Sequence, residues 1–232
     1  MSKIIWKGID SETIPGLLIT NIPPITKPKM RTTTTKIDGR DGDIIDELGY
    51  ESYTKSIGVG LTRNYDVDQV IKYFTGSGEL TISNEPDKYY IARITDQIDF
   101  EKLIRFKTAT IKFYVQPFKY LKDEQKVELN VTSQKSVEVI NKGLEVSKPI
   151  ITLEGSGAVI VALNGANQFT YTFPEGESKV IIDSTDEEAY LDGEFKNRNM
   201  LGSFIKLEPG KNTISWTGTL TKIKIDPRSR WL

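Results

Sequence analysis

The sequence holds no cysteine and no histidine, and these two absences remove more chemistry than any residue present supplies. Without cysteine there is no disulfide, no thiolate nucleophile and no thiolate metal site. Without histidine there is no imidazole ligand and no Ser-His-Asp or Cys-His arrangement, and no imidazole to titrate near neutrality. Long hydrophobic runs are missing too. No stretch approaches the roughly 18 apolar residues of a membrane-spanning helix, and no apolar segment follows Met1, so neither secretion nor membrane insertion is expected. The lone sequon Asn130-Val131-Thr132 is then read as chance. Nor does either sign of charge dominate. With 31 basic and 32 acidic residues there is no basic excess for a phosphate backbone, and nucleic-acid recognition is not expected.

What is present is enough to fold. A chain of 232 residues with 38% apolar residues suits two ordinary domains. The stretch Thr110 to Tyr120 marks their junction. Ala109, Ile111, Phe113 and Val115 alternate with Thr110, Lys112 and Tyr114, the period of a strand with one face on a core. Pro117 has no N–H for a ladder and is expected to end that strand. Phe118 and Tyr120 are expected to fold back over the first core, and Lys122 to Lys126 to form a solvated link. The boundary is drawn at residues 1–121 and 122–232.

The class is mainly β. In the first half, short strands are expected at Lys3–Trp6 and Leu17–Ile22 around a turn at Pro15-Gly16. A threonine-rich strand follows at Lys29–Ile37, then turns at Gly39 and Gly42, and a strand at Glu51–Leu61. One helix is expected from Val67 to Thr75, with Val67, Val70, Ile71 and Phe74 on one stripe, Asp66 as N-cap and Gly76 as the left-handed C-terminal cap. A hairpin of Glu79–Ile82 and Lys88–Ile98 turns at Asn84-Glu85-Pro86-Asp87, and Lys102–Phe106 precedes the closing strand. This is a β-sandwich-like domain with one helix. The second half shows about ten short alternating runs between turn signals and no helix, the layout of an antiparallel sandwich. Glu208-Pro209-Gly210-Lys211 fits a type II turn.

The chemistry-bearing motifs are weak. Asp38 to Asp46 is acidic enough to suggest calcium, but starting at Asp38 puts Arg40 on the third ligand place, and starting at Asp41 puts Ile45 on the fifth. Gly58-Val59-Gly60, Gly76-Ser77-Gly78 and Gly155-Ser156-Gly157 lack the rest of a dinucleotide or phosphate-loop signature and read as turns or tight packing. Carboxylate pairs for glycoside hydrolysis cannot be told apart among so many acids. Phe169, Tyr171 and Phe173 read as core rather than as a sugar platform. No catalytic, cofactor or metal residue is assigned.

One segment stands out for assembly. The strand around Arg31-Thr32-Thr33-Thr34-Thr35-Lys36 has too little apolar surface to pack on its own domain, whereas a partner's sheet edge would satisfy its backbone. Thr33, Thr35, Ile37, Asp38, Gly39, Arg40, Asp41, Gly42 and Asp43 are therefore the candidate intersubunit contacts.

The order of motifs resembles that of the distal tail proteins of long, flexible-tailed phages and prophages, over nearly the whole chain. In the first half the resemblance rests on Ile37 to Asp43, the helix with Ile71 to Phe74, Asn84 to Tyr90 and Phe113 to Tyr120. In the second it rests on Asn141 to Ile151, Leu207 to Trp216 and Ile225 to Trp231. The resemblance implies an N-terminal domain forming a homohexameric ring at the end of the tail tube, with a galectin-like C-terminal sandwich outside it. It further implies the tail tube protein and the tail-associated hub or lysin protein as partners, receptor-binding proteins on the rim in some members, no cofactor, and a place at the virion tail tip after assembly in the host cytoplasm. The reading left open beside it is a carbohydrate-binding module protein that recognises host cell-wall glycans; a glycosidase is the weaker rival.

Overall fold

The computed structural model describes residues 2–232, apart from the side chain of Lys102. The chain divides into two compact units, one running to Lys119 and including Leu232, the other Tyr120–Trp231.

The first unit contains strands β1 (Ile4–Trp6), β2 (Ile9–Asp10), β3 (Leu17–Asn21), β4 (Met30–Thr35), β5 (Ile44–Tyr50), β6 (Tyr53–Leu61), β7 (Ser77–Ile82), β8 (Lys88–Arg93) and β9 (Thr108–Leu121), with helices α1 (Val67–Tyr73) and α2 (Phe100–Phe106). The main sheet runs β2-β1-β7-β8-β9-β6-β3, while β4 and β5 form a separate two-stranded ribbon. Ile57 and Val59 of β6 and Ile111, Phe113 and Val115 of β9 are buried on one face by simple alternation. Against them lie Trp6, whose ring meets Phe113 edge-on at 5.1 Å, and Val70, Tyr73 and Phe74 from α1 and its C-terminal end. Asp66 caps α1 as expected: its carboxylate accepts the Gln69 N–H at 3.2 Å, and the Gln69 amide returns a bond at 2.8 Å.

Several expectations change here. Among the described residues the unit has two α-helices rather than one. The Lys102–Phe106 segment belongs to α2, where the Leu103 N–H bonds to the Asp99 carbonyl at 3.1 Å and the Lys107 N–H to that of Leu103 at 2.8 Å. Two turns are too short to display a period, so Phe100 and Leu103 gave no signal. α1 ends at Tyr73, and Tyr73 is buried where Ile71 is only half-buried. β9 does not stop at Pro117 but continues to Leu121. Its ladder with β6 ends at Tyr53↔Val115, so Pro117 withholds no donor that β6 needs. Tyr120 falls in the second unit, where the Arg228 guanidinium stands 5.5 Å from its ring; only Phe118 stays with the first.

The second unit contains β10 (Val127–Asn130), β11 (Ser136–Asn141), β12 (Ile150–Leu163), β13 (Ala166–Thr172), β14 (Lys179–Asp183), β15 (Glu188–Leu191), β16 (Glu194–Phe195), β17 (Met200–Gly202), β18 (Gly210–Asp226) and β19 (Arg230–Trp231). Two long strands, β12 and β18, pair along most of their length and serve both layers. Their ends near Ile151 and Ile225 join β10, β14, β15 and β16; their other ends, near Val161 and Ile214, join β11, β13 and β17. The ladder shifts register between Glu154 and Ile160, where glycines let the strands bend. A Cβ on Gly155 would lie 2.2 Å from the Thr219 carbonyl oxygen, and one on Gly218 2.3 Å from that of Ala158. The runs at Ile150–Leu153 and Val159–Leu163, and those at Ile214/Trp216 and Ile223/Ile225, read from the sequence as separate strands, are thus halves of β12 and β18. The core is a single cluster including Val139, Ile151, Val161, Tyr171, Ile182, Trp216 and Ile225.

Three of the sequence motifs meet as joints in this unit. The Asn141 amide donates to the carbonyls of Glu145 and Leu207 at 2.9 and 3.0 Å. Ser147 Oγ donates to the Pro227 carbonyl at 2.8 Å, and Arg230 Nε to that of Val146 at 2.6 Å. Asn212 ties the turn at Pro209-Gly210 through the Glu208 backbone. The charged link is less solvated than expected: Glu124 is half-buried and accepts the Ser229 N–H at 2.7 Å.

Candidate assembly interface

The threonine-rich strand is one half of a hairpin. β4 pairs with β5 in the register Thr32↔Glu47, Thr33↔Asp46, Thr34↔Ile45, Thr35↔Ile44. β5 lies where the sequence suggested only turns. Its pattern Ile44-Ile45-Asp46-Glu47-Leu48 does not alternate, because neither face of the ribbon is buried. Residues 31–43 are all exposed. Ile37, Ile45 and Leu48 expose 48%, 61% and 54% of their surface, a large apolar area for so small a ribbon. The candidate residues Thr33, Thr35, Ile37, Asp38, Gly39, Arg40, Asp41, Gly42 and Asp43 occupy β4 and the tip of this arm. At the tip the Arg40 N–H reaches the Ile37 carbonyl at 3.2 Å, and Gly39 and Gly42 adopt φ of 80° and 77°, which glycine enters without strain. Among the described residues no group of three or more acidic side chains is placed to hold a metal ion.

An arm with so little surface of its own must be held at its root, and the root is built from polar groups that the sequence did not reveal. The segment from Ile22 to Lys29 lies outside helix and strand and is pinned at Pro23 and Pro28, both buried. Asn84 Nδ2 donates to the Pro23 carbonyl at 3.0 Å, Lys55 Nζ to that of Pro24 at 3.2 Å, Tyr53 OH to that of Thr26 at 3.4 Å, and the Glu51 N–H to that of Lys29 at 2.8 Å. Beneath them Glu85 takes Lys119 Nζ on one oxygen at 2.6 Å and Tyr90 OH on the other at 2.8 Å. Lys55 and Lys119 are 3% and 5% exposed, so this is a cluster of buried charge. Burial holds the Lys55 ammonium below its usual pKa although Glu85 works against it, and burial likewise pushes the Tyr53 and Tyr90 phenols up. The Lys55 ammonium stands 4.8 Å from the centre of the Tyr90 ring. At the hairpin end, the Tyr50 ring meets Phe118 edge-on at 5.9 Å.

The signal for this cluster was in the alternation. Lys55 and Lys119 share the parity of Ile57 and Val115 on their strands, so each falls on the buried face. With Glu85 accepting from both Lys119 and Tyr90, the arrangement positions backbone.

Residues 12–115, which include the arm and most of its root, match the family described as phage tail protein RIFT-related domain. Among solved structures the chain is similar to the SPP1 Dit (gp 19.1) protein, described as a paradigm of the hub adsorption apparatus in phages infecting Gram-positive hosts. The match covers 100% of both chains with a TM-score of 0.68 and 18% sequence identity. At that identity the likeness is one of fold. No curated protein matches the sequence. The resemblance to distal tail proteins is upheld by the shared domain in the first half and the shared fold throughout.

Proposed function

We propose that this protein is a non-enzymatic structural component of a siphophage tail, a distal tail protein whose first unit closes into a hexameric ring through the arm Met30–Tyr50. The observation that carries the reading is the arm itself. It is an exposed two-stranded ribbon, apolar beyond what its own unit covers, yet fixed at its base by buried charge. A lone hairpin of this kind is marginal in water and gains order when a partner covers it. In the ring reading the tail tube protein lies on one side and the tail-associated hub or lysin protein on the other, and receptor-binding proteins are further candidates at the rim. The second unit, with its closed core, stands outside the ring at the virion tail tip.

Native mass measurement tests this. Six chains of 26.2 kDa give a particle of about 157 kDa, and shortening the tip by replacing residues 37–43 with a two-residue turn should return it to monomer. A wild-type chain that stays at the monomer mass at every concentration, or that turns over a cell-wall substrate, overturns the reading.

A further inference from the structure

Resting on that ring reading, a second surface of the first unit has the shape and charge to receive the arm. β3 ends the main sheet with one edge unpaired. Beside it, on the face of β6 and β9 turned away from the core, lies a groove of 480 Å³ lined by Thr20, Asn21, Ser56, Gly58, Thr108 and Thr110 among others. The alternation that buries Ile57, Val59 and Ile111 puts Ser56, Gly58, Gly60, Thr108 and Thr110 on this side, with the larger Lys112 and Tyr114 following further along β9. A bulge at Ile19–Asn21 lays Thr20 across the glycines; its Oγ1 and Cγ2 would stand 2.9 and 3.0 Å from a Cβ on Gly58 and Gly60. The surface is therefore low and polar, open to a second backbone.

Its charge is directional. At the Thr108 end the Lys107 carbonyl accepts the Leu61 N–H at 2.9 Å, which places the stretch Arg105-Phe106-Lys107 there, with Arg63 two residues past Leu61. Arg63, Arg105 and Lys107 are exposed, and none forms an ion pair with a carboxylate among the described residues. Phe106 beside them is 59% exposed. The arm has the opposite character: from Asp38 to Glu47 it carries Asp38, Asp41, Asp43, Asp46 and Glu47 against Arg40 alone, with Ile37 and Ile45 exposed. We infer that the groove between β3, β6 and β9 is the acceptor for the arm tip of a second copy of this chain, with tip carboxylates against Arg105 and Lys107 and tip isoleucines over Phe106. Opposed charge of this kind fixes register and speeds encounter as well as adding affinity.

The absence of native cysteine makes the test clean. Copies carrying Asp41→Cys are mixed with copies carrying Thr110→Cys under mild oxidation and run on a non-reducing gel. A heterodimer band that appears only in the mixture is expected. In parallel, the double variant R105E/K107E should raise the concentration needed for assembly by roughly tenfold or more, and D41K/D43K added to it should restore assembly. If the wild-type chain assembles but the cross-link is absent, or assembly is indifferent to R105E/K107E, the acceptor assignment is wrong while the ring reading stands. A wild-type chain that never assembles overturns both.

Discussion

The two units handle buried polarity in opposite ways. In the second, the fully buried polar side chains are short, Asn141, Ser147, Ser184, Asn212 and Ser229, and all but Ser184, whose Oγ has no hydrogen-bond partner, spend their bonds tying loops to the rim of one apolar cluster. Its low-exposure charges, Asp183 and Lys196, each pair with a partner, Arg228 and the two glutamates Glu177 and Glu194. The first unit instead sinks two lysines and a glutamate into one end of its sheet. Such clusters rarely beat apolar packing in stability. What this one does is fix the path of a chain segment that then leaves the fold. The contrast teaches that a unit complete in itself can close with hydrocarbon, whereas a unit that must aim an arm outward needs directional bonds at the point of departure.

The sharpest way to break that contrast is to remove the shared anion. Glu85→Ala leaves Lys55 and Lys119 buried without a counter-charge, which should cost the first unit about 3–5 kcal/mol. In calorimetry the first unit's transition should fall steeply while the second unit's holds. Equal shifts in both would show that the cluster is not local to the arm root. The triple variant Lys55→Met, Glu85→Leu, Lys119→Met sharpens the point: it should melt near the wild type yet assemble poorly, because packing is restored and the bond to the Pro24 carbonyl is not.

A second pair of substitutions compares glycines with opposite surroundings. Gly218→Ala drives a Cβ to 2.3 Å from the Ala158 oxygen at a φ of 96°, and should destabilise the second unit by about 2–4 kcal/mol. At Gly42 a Cβ meets nothing within 4 Å, so Gly42→Val costs only the roughly 1–2 kcal/mol of left-handed strain, confined to the arm. Both melting transitions should survive Gly42→Val while the native mass shifts toward monomer. A lowered transition in either unit would mean the arm is part of a core.

How much of this was legible follows from where the pattern is strong. The β6 and β9 faces, the Asp66 cap and the alternating runs of the second unit could be read because one buried face imposes a period. β5 could not, since a ribbon with no buried face carries no alternation. α2 is too short to show a helical period, and the continuity of β12 and β18 was hidden by Gly155 and Gly218, which look like turn signals but make bends. The arm was located by what its threonines cannot do. Its root was only half legible: parity marks Lys55 and Lys119 as inward-facing, but their meeting with Glu85, far away in sequence, is made by the fold alone.

The smallest effect concerns the link that opens the second unit. Glu124 accepts the Ser229 N–H with Oε2, while its Oε1 is buried without a hydrogen-bond partner. Burial raises its pKa above the ordinary 4.5, with Asp226 adding to the rise and the Ser229 bond opposing it. A carboxyl with a raised folded-state pKa stabilises the fold fully below the unfolded value, and that contribution is lost as pH climbs through the folded one. Glu128, held low by Lys222, works the other way and gives up its contribution only as pH falls through its depressed value. Glu124→Gln keeps an oxygen for Ser229 and removes the titration. The difference in stability between variant and wild type should therefore grow in the variant's favour as pH rises from 4.5, staying within about 1 kcal/mol, with the first unit's transition unaffected. Urea melts of the two proteins at pH 4, 5, 6 and 7 measure it, and a difference that stays flat or reverses across that range would show that Glu124 reaches water freely and that the link is the solvated segment its composition suggested.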